Sequence, residues 1–382
     1  MKHSVKIVIG ANYGDEGKGL MSRYFTKEFI NEGKRPITVL HNGSAQRGHT
    51  ADYDDGSRHV FHNFATGSKE GASTYYASTF MVHPLDYCRE VRELGYLPDV
   101  YCNPNCVVVT PLDMIVDHMI EDYIAVDTGT REYGSCGYGT WSTTDRIKQR
   151  PDLAYTVSTF FFTTNYIHLM DSLKEWCLER LKSFHVDLDR IHWGKEYFSE
   201  NSDSFAKLCA RFKLDLDYFM HTVRFVSFEQ VWNHRDSIIF EGAQGLLLDK
   251  DQDTIWTTTS HTGLKNPSDI LAPYSDFQAE VCYVTRTYIT RHGDGPLDSE
   301  VNKNELGDLV DDKTNKFNVF QGGLRYATMT KSLVDAAIEK DFSAVQNKSY
   351  FLTTAYTHCN EHPVYGGTYR SYTPNEVNRV CT

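Results

Sequence analysis

The chain has 382 residues and a formal net charge of −12, with 40% hydrophobic and 24% charged residues. This composition is typical of a folded globular protein and excludes the low-hydropathy, high-charge class of chains that stay disordered. A nucleic-acid polymer is not an expected partner, because phosphate backbones bind through clustered lysine and arginine and this chain has no long basic run. A phosphorylated partner is therefore expected to be small.

Export and membrane insertion are not expected either. The apolar stretch at residues 5–9 is too short for a signal peptide, and no segment approaches the roughly 20 apolar residues that span a bilayer. The 9 cysteines are odd in number and scattered, and the one close pair, Cys102 and Cys106, has no second pair at zinc-site spacing. We expect free thiols, no membrane contact and a cytoplasmic protein.

Strands and helices alternate along the chain. A β-branched run at residues 5–11 leads into a glycine-rich turn, after which apolar residues recur at helical spacing at Met21, Phe25 and Phe29. Further strands are predicted at 37–40, 237–240, 281–285 and 349–353. The alternation predicts an α/β fold with a doubly wound, mostly parallel central sheet.

The segment at about 155–231 interleaves aromatic and charged residues without repeats or low complexity. We interpret it as a helical insertion, because the chain has no proline- or serine-rich linker and no internal period. The prediction is one domain, residues 1–382, that carries this insertion.

The turn Gly-Asp-Glu-Gly-Lys-Gly at 14–19 is the strongest chemical signal. Between a strand and a helix, its backbone N–H groups and the helix N-terminus can hold a phosphate. It departs from the P-loop pattern, since Asn12 stands where that pattern needs glycine and Gly19 where serine or threonine would hold Mg²⁺. Asp15 would repel phosphate unless it binds a metal or acts as a base, so it indicates chemistry. The alternative is a solvated turn with a capping aspartate.

Two further turns follow predicted strands. The segment Gly-Ser-Ala-Gln-Arg-Gly-His-Thr at 43–50 carries His49, which is suited to donate toward a developing oxyanion. A lone loop histidine is more often structural or solvent-facing. The segment Phe-Glu-Gly-Ala-Gln-Gly at 240–245 carries Gln244, whose amide offers a donor and an acceptor to a base edge or a carbonyl. Its alternative is an ordinary turn.

Together these motifs resemble those of adenylosuccinate synthetase, the family of purine-biosynthesis enzymes that join L-aspartate to a 6-oxopurine nucleotide. The family's glycine loop corresponds to 14–19, its Gly-His-Thr loop to 48–50 and its Glu-Gly-Ala-Gln-Gly turn to 241–245. The register continues without a gap to Thr259 and Ser260, and the segment 290–296 resembles the strand and turn that follow. The resemblance covers about residues 6–354 and implies a P-loop-like fold and a C–N ligase activity.

The resemblance implies a role for each matching residue in catalysis. Asp15 would take the proton from purine N1 and hold Mg²⁺ together with the Gly48 carbonyl, and His49 would assist O6 as it attacks the γ-phosphate. The phosphoryl group makes C6 electrophilic, the amine of L-aspartate adds there, and phosphate leaves. Gln244 would orient the base.

It also implies the binding residues. The donor phosphates would be bound by Gly14, Glu16, Gly17, Lys18, Gly19, Gly48 and Thr50. The substrate nucleotide would be bound by Asn12, Ser135, Cys136, Arg150, Gln244, Leu248, Thr259 and Ser260. L-Aspartate would be bound by Gln321, Gly322 and Arg325. Arg150 corresponds to an arginine that reaches the nucleotide of a partner subunit, so a homodimer is expected by analogy.

The chain departs from the family at the residues that read the phosphate donor. The family reads the guanine of GTP with Thr-Lys-Leu-Asp after a strand, and the corresponding residues here are Thr353, Thr354, Ala355 and Tyr356. Without lysine and aspartate the bidentate contact to guanine is lost, and Tyr356 favours stacking without base choice. The expected donor is therefore ATP or dATP.

Other departures concern the substrate nucleotide. Gly323 stands where the family has an arginine close to the ribose, and Ala45 and Gln46 replace a histidine and an asparagine near the purine. These changes resemble the viral branch of the family, the 2-aminoadenylosuccinate synthetases, which use dGMP on the way to 2-aminoadenine DNA. Some viral members carry serine at the position of Asp15, but a carboxylate can accept from both N1–H and the 2-amino group of guanine. We expect dGMP as the substrate, and the host cytoplasm as the location of a viral protein; the alternative is an adenylosuccinate synthetase that acts on IMP with GTP or ATP.

Two other classes of protein stay open at this point. A non-catalytic GTP-binding module would need a guanine-reading aspartate, and a dinucleotide oxidoreductase would need Gly-x-Gly-x-x-Gly. Neither pattern is met at the expected place. A binding module would show nucleotide affinity without phosphate release that depends on aspartate.

Overall fold

The computed structural model describes residues 2–53, 55–128, 137–200, 202–307, 309, 322–345, 349–357 and 370–372. The strands are β1 His3–Gly10, β2 Ile37–Leu40, β3 His49–Asp52, β4 Arg58–Phe61, β5 Ser73–Tyr76, β6 Val100–Cys102, β7 Arg224–Phe225, β8 Ser237–Glu241, β9 Phe277–Thr285, β10 Tyr288–Arg291, β11 Glu300–Val301, β12 Arg325–Thr328, β13 Tyr350–Tyr356 and β14 Arg370–Tyr372. The α-helices are α1 Lys18–Asn31, α2 Pro84–Leu94, α3 Pro111–Thr128, α4 Thr140–Gln149, α5 Val157–Phe162, α6 Tyr166–Ser183, α7 Asp203–Thr222, α8 Phe228–His234, α9 Lys265–Leu271 and α10 Lys331–Ser343.

Nine of these strands form one sheet in the order β14-β13-β9-β1-β8-β2-β5-β6-β7, and every neighbouring pair is parallel. β1 lies near the middle, where Val5 is opposite Ile238 of β8 and Ala279 of β9. The apolar runs of β1 and β8 are buried, as is usual for parallel strands that are covered on both faces. The predicted α/β fold with a doubly wound, mostly parallel sheet is confirmed.

Alternate residues of β1 face two different cores, because side chains in a strand point to opposite faces. Val8 packs with Phe25 of α1 on one face. Ile7 and Ile9 pack on the other face in the cluster that contains Val334 of α10. Helices therefore cover both faces of the sheet. The apolar residues whose helical spacing predicted α1 form the buried side of that helix.

The segment 155–231 is mostly helical and contains α5, α6, α7 and the first part of α8. Its buried Trp176 and Phe219 belong to the same core cluster as Leu40 and Tyr76 of the sheet. It also contributes β7 at one edge of the sheet. The segment thus shares its core with the sheet, while the assignment of residues 1–382 to one domain stays a prediction.

Six cysteines lie among the described residues, and all six are buried free thiols: Cys88, Cys102, Cys106, Cys177, Cys209 and Cys282. The expectation of free thiols is confirmed for these six. None of the helices that the structure describes is long and apolar enough to cross a membrane.

The carboxyl ends of the central strands meet at one edge of the sheet, which is where ligands bind in open parallel α/β sheets. Three of these strands lead into the motifs found in the sequence: β1 into the glycine loop at 14–19, β2 into the loop at 41–49, and β8 into the turn at 242–249. β13, the predicted donor-reading strand, ends at the same edge. The fold therefore brings these three motifs and the end of β13 to one edge of the sheet.

Candidate active site

Glu16 folds back into the glycine loop. Its carboxylate accepts from the N–H groups of Asn12 (3.0 Å) and Gly14 (2.9 Å) and from the ammonium of Lys18 (2.7 Å). Glu16 and Lys18 are both buried. The loop thus already turns several donors toward one anionic group, which is the arrangement a phosphate needs. Glu16 would compete with a donor phosphate for Lys18, so its carboxylate organises the loop, and direct phosphate binding by Glu16 stays a prediction.

The turn after β8 packs directly on this loop. A Cβ atom at Gly245 would lie 2.2 Å from the carbonyl oxygen of Asn12 and 2.6 Å from Oε1 of Glu16, so only glycine fits there. The N–H of Leu247 donates to the same Asn12 carbonyl at 3.0 Å. The glycine loop and the turn after β8 are roughly 230 residues apart in the sequence, but in the fold they form one structural unit.

The end of β13 touches the start of α1. Thr357 donates through its hydroxyl to the carbonyl oxygen of Glu16. Its side chain also lies 3.0 Å from the Cβ position of Gly17, whose φ of 94° is in the left-handed region. The residues after β13 are thus neighbours of the loop that is expected to hold the donor phosphates.

Asp15 has a fixed backbone and an accessible carboxylate. Its φ is 63°, a value that non-glycine residues rarely adopt. Its carbonyl oxygen accepts from Nε of the buried Arg286 at 2.6 Å. Its carboxylate lies 3.5 Å from Nε2 of His292, and 24% of the side chain is exposed. This placement suits a general base or a metal ligand.

His49 belongs to a buried polar cluster with Arg47, Thr66 and Glu241. Its Nδ1 lies 2.6 Å from Oε1 of Glu241 and 2.8 Å from Nη2 of Arg47. Arg47 is also ion-paired with Glu241, and the Thr66 hydroxyl donates to the same carboxylate oxygen at 2.7 Å. Both contacts of the His49 ring use Nδ1, so Nε2 is the nitrogen that can act on a substrate.

The cluster fixes the charges of its members. Burial and the nearby charge of Arg47 lower the pKa of His49 to about 4, so the ring is neutral at neutral pH. Burial opposes the ionisation of Glu241, but the charge of Arg47 and the hydrogen bonds from His49 and Thr66 outweigh it and lower the pKa of Glu241 to about 2. When Nδ1 accepts from Arg47, Nε2 carries the proton and can donate to an oxyanion; when Nδ1 donates to Glu241, Nε2 is an acceptor. The oxyanion role needs the first tautomer.

The loop after β2 is fixed to the turn after β8. The Asn42 amide donates to the carbonyl of Ala243 at 3.0 Å and accepts from the Ala243 N–H at 2.9 Å. In the same loop, Oε1 of Gln46 accepts from the Ser44 N–H at 2.7 Å and from the hydroxyl of Thr140, the first residue of α4, at 3.2 Å. Gln46 therefore connects the second motif to the N-terminus of α4.

Several residues that were predicted to bind the substrate nucleotide lie near one another. Ser260 donates to Oε1 of Gln244 at 3.4 Å, and Thr144 of α4 donates to Thr259 at 3.2 Å. The Leu248 carbonyl accepts from the Thr258 N–H at 2.8 Å, and this bond closes the loop between residues 248 and 258. In the glycine loop, the Asn12 amide donates to the hydroxyl of Thr285 at 2.9 Å.

Other predicted residues have different surroundings. Arg150, with 43% of its side chain exposed, pairs with Asp152 at 2.8 Å. Arg325 pairs with Glu300 and donates to the carbonyls of Gly293 and Gly295, so binding L-aspartate would require it to exchange a partner. Tyr356 is buried at the end of β13. Ser135, Cys136 and Gln321 lie outside the described residues, while Gly322 and Thr50 lie within them.

The proposed magnesium ligands have suitable chemistry. Mg²⁺ takes oxygen ligands, usually one or two carboxylates together with phosphate oxygens and water. Asp15 supplies a partly exposed carboxylate, and Gly48 is exposed and supplies a carbonyl. Among the described residues, one group of three ligand-type side chains lies elsewhere, at Asp249, Asp251 and His261. Because exposed acidic groups are common without a metal, we assign no ion to that group.

Sequence analysis missed several residues of the site. Arg47, Glu241 and His292 lie inside the motifs, but nothing in a sequence shows that Arg47 and Glu241 pair around His49, or that His292 approaches Asp15. Thr66, Arg286 and Thr357 lie outside the motifs and carry no local signal of their own. Their contacts arise only from the folding of the chain.

Comparison with known proteins identifies a family. The family model for adenylosuccinate synthetase matches residues 7–330. The adenylosuccinate synthetase of Chlorobium phaeobacteroides is 24% identical over 359 residues, which are 88% of this chain and 76% of that protein. The protein of the same name from Petrotoga mobilis is 27% identical over 306 residues, and the match spans 77% of this chain and 65% of that protein.

Two solved structures are similar in fold. Fully ligated adenylosuccinate synthetase from Plasmodium falciparum gives a TM-score of 0.69 at 18% identity and covers 92% of this chain and 76% of its own. The succinoaminodeoxyadenylate synthetase of cyanophage S-2L, bound to dGMP and to dATP as an energy donor, gives a TM-score of 0.57 at 16% identity and covers 94% of this chain and 85% of its own. At these identities the likeness concerns the fold.

Proposed function

The chain belongs to the adenylosuccinate synthetase family of C–N ligases, and from this premise we propose that it joins L-aspartate to C6 of dGMP with ATP or dATP as the phosphate donor. With ATP the products are 2-amino-2′-deoxy-N6-succinyladenylate, ADP and phosphate. Such a product is a precursor of 2-aminoadenine DNA.

The observation that carries the choice of donor is the end of β13. Thr357 contacts Glu16 and Gly17, so this strand end lies beside the loop that would hold the donor phosphates. Residues 353–357 contain neither a carboxylate nor a lysine. No side chain of this strand end can therefore accept from N1–H and the 2-amino group of guanine together. Tyr356 is buried, so stacking on a donor base requires its ring to be uncovered when the donor binds.

Two features support dGMP as the substrate. Gly323 stands where the family has an arginine near the ribose, and no described atom lies within 4 Å of its Cβ position, so residue 323 offers no side chain to contact a 2′-hydroxyl. The cyanophage S-2L enzyme, which is similar in fold, was solved bound to dGMP and to dATP as an energy donor. The alternative substrate is IMP. The retained Asp15 is compatible with either purine, because its carboxylate can take the N1 proton whether or not the purine carries a 2-amino group.

In the proposed reaction each residue has a task that is compatible with its contacts. Asp15 accepts the N1 proton, and the Arg286 contact to its carbonyl holds the residue in place. His49 donates from Nε2 to O6 in the tautomer whose Nδ1 accepts from Arg47, and Glu241 holds Arg47 in place through their ion pair. Lys18 leaves Glu16 to neutralise donor phosphate oxygens. Asp15 and the Gly48 carbonyl would hold Mg²⁺, which when bound neutralises charge on the transferred phosphoryl group.

The donor preference is directly measurable. With dGMP and L-aspartate at fixed concentrations, we expect the initial rate with ATP or dATP to equal or exceed the rate with GTP, because guanine gains no bidentate contact at the end of β13. The measurement is release of phosphate that depends on L-aspartate. A Tyr356→Phe variant keeps the ring and should keep the preference. A faster reaction with GTP would show that guanine is read by residues other than the end of β13.

We also propose that the chain acts as a homodimer. Arg150 is half-exposed, and α5, which follows it, presents two exposed aromatic rings, Phe161 (57%) and Phe162 (76%). Large exposed apolar side chains grouped together are typical of interfaces.

A charged side chain introduced among the exposed rings of α5 should separate the subunits of the proposed dimer. We expect Phe162→Glu to shift the chain from dimer to monomer in sedimentation velocity and to weaken nucleotide binding if Arg150 acts across the interface. Leu97→Glu, a matched change at a side chain that is 46% exposed elsewhere, should leave the dimer intact. A monomeric wild-type chain would contradict the proposed dimer. A Phe162→Glu variant that stays dimeric would show that the interface lies elsewhere.

A further inference from the structure

A cavity of 360 Å³ lies at the amino edge of the sheet, opposite the candidate active site. It opens beneath α8, where Ile37 begins β2 and Arg235 precedes β8. Small-molecule sites in proteins start at about 300 Å³, so the volume is enough for one compact ligand. None of its lining residues belongs to the motifs assigned to the ligase reaction.

Arg235 gives the cavity an incompletely balanced positive charge. Only 16% of its side chain is exposed, and its nearest carboxylate, Asp99, is 3.9 Å away. Its hydrogen bonds go to neutral groups: the carbonyl of Arg35 (3.3 Å) and the hydroxyls of Ser73 (3.2 Å) and Tyr101 (3.3 Å). Asp99 itself pairs more closely with Arg224, at 2.8 Å. A guanidinium this far from bulk water gains from a closer anion.

Arg35 provides a second cation at the same cavity. Its side chain is exposed, and the structure gives its guanidinium no hydrogen bond or ion pair with any described residue. The cavity is thus lined by two arginines, Arg35 and Arg235. Together they can clamp a phosphate group through paired N–H donors.

The remaining walls fit a flat apolar ring. Ile37, Val226 and Val231 line the cavity with aliphatic side chains. Gln230 uses its amide oxygen to cap α8 at the Ser227 N–H, which leaves its NH₂ group to donate to a base edge. One feature opposes an anion, because the C-terminus of α8 is at the cavity, but this helix has only 7 residues and its dipole is small.

We propose that this cavity is a second ligand site, separate from the active site, that binds a nucleoside monophosphate. Arg35 and Arg235 hold the phosphate, and the base lies against the aliphatic wall. The proposal does not depend on which nucleotide the ligase reaction uses.

Equilibrium dialysis of the full chain against AMP and against GMP, without donor or L-aspartate, tests this site. We expect a bound equivalent that persists in Gln244→Ala, which weakens base binding in the active site. Arg35→Glu should lower the affinity of this equivalent about tenfold or more, because it reverses one of two charges that contact the phosphate. Arg92→Glu is the matched control, since Arg92 is exposed, lies on α2 and does not line the cavity. It should leave the affinity unchanged.

Turnover and a phosphate-only probe complete the test. Arg35→Glu should keep the wild-type rate at saturating substrates, which shows that the chain is folded. Inorganic phosphate should compete for the site more weakly than either nucleotide, because it lacks the base. The proposal is overturned if Gln244→Ala abolishes all nucleotide binding, if Arg35→Glu and wild type bind alike, or if phosphate competes as well as the nucleotides.

Discussion

Replacing Asp15 with asparagine is expected to lower kcat by about 10²- to 10⁴-fold, the range that general acid–base groups contribute. Asparagine tolerates the left-handed backbone that Asp15 adopts at φ 63°, and the contact from Arg286 goes to the main-chain carbonyl, so both features survive the change. Only the carboxylate is lost, and with it the proposed acceptor for the N1 proton and the proposed anionic ligand for Mg²⁺. Steady-state kinetics with L-aspartate-dependent phosphate release measures the effect.

The matched change is at the neighbouring histidine. His292→Asn removes the group 3.5 Å from the Asp15 carboxylate but leaves the carboxylate itself, so a much smaller loss is expected. Thermal unfolding of Asp15→Asn should match wild type, which separates catalysis from folding. A variant that retains turnover near the wild-type rate would remove Asp15 from the mechanism.

Replacing Glu241 with glutamine is expected to lower the free energy of unfolding by about 3–5 kcal/mol, because it leaves the buried Arg47 guanidinium without its charge partner. Arg47 and Glu241 are both almost fully buried, and the same carboxylate also accepts from Thr66. Urea-induced unfolding measures the loss. A second change, Arg47→Met, removes the unpaired charge and should recover part of the stability in the double variant.

The acid side of the stability curve tests the same pair. The folded pKa of Glu241 is about 2 and its ordinary value is 4.5, so the group contributes stability above pH 4.5 that is lost as the pH falls toward 2. The stability difference between wild type and Glu241→Gln should therefore narrow across this interval. The pair would contribute little to the free energy of unfolding if the difference between the two proteins stayed constant from pH 5 to pH 2. The same would follow if the variant were as stable as wild type at neutral pH.

The sequence was sufficient for the fold class because its signals are local. β1, its glycine turn and the apolar period of α1 lie within 31 residues, and each follows from backbone preference and burial. The grouping of the three glycine-containing motifs followed as well, since they come after parallel strands whose carboxyl ends share one edge of the sheet. The motif residues Gln244 and Ser260 are indeed in contact.

The partners of the reactive groups could not be predicted, because they come from distant segments. Glu241 is 192 residues from His49, and the bond from Thr357 to the Glu16 carbonyl spans 341 residues. Glu16 shows the opposite difficulty. The resemblance implies that Glu16 binds donor phosphate, which stays a prediction. The sequence does not show that its carboxylate accepts hydrogen bonds from the loop itself, as a buried carboxylate must be paired.

The central claim is that dGMP, not IMP, is the purine substrate. The most direct test is a competition in which the chain receives equal concentrations of dGMP and IMP with ATP, L-aspartate and Mg²⁺, and the two succinyl nucleotides are quantified by mass. The product ratio equals the ratio of kcat/KM for the two purines. We predict an excess of 2-amino-2′-deoxy-N6-succinyladenylate. Adenylosuccinate as the major product would contradict the claim and assign the chain to the ordinary purine pathway.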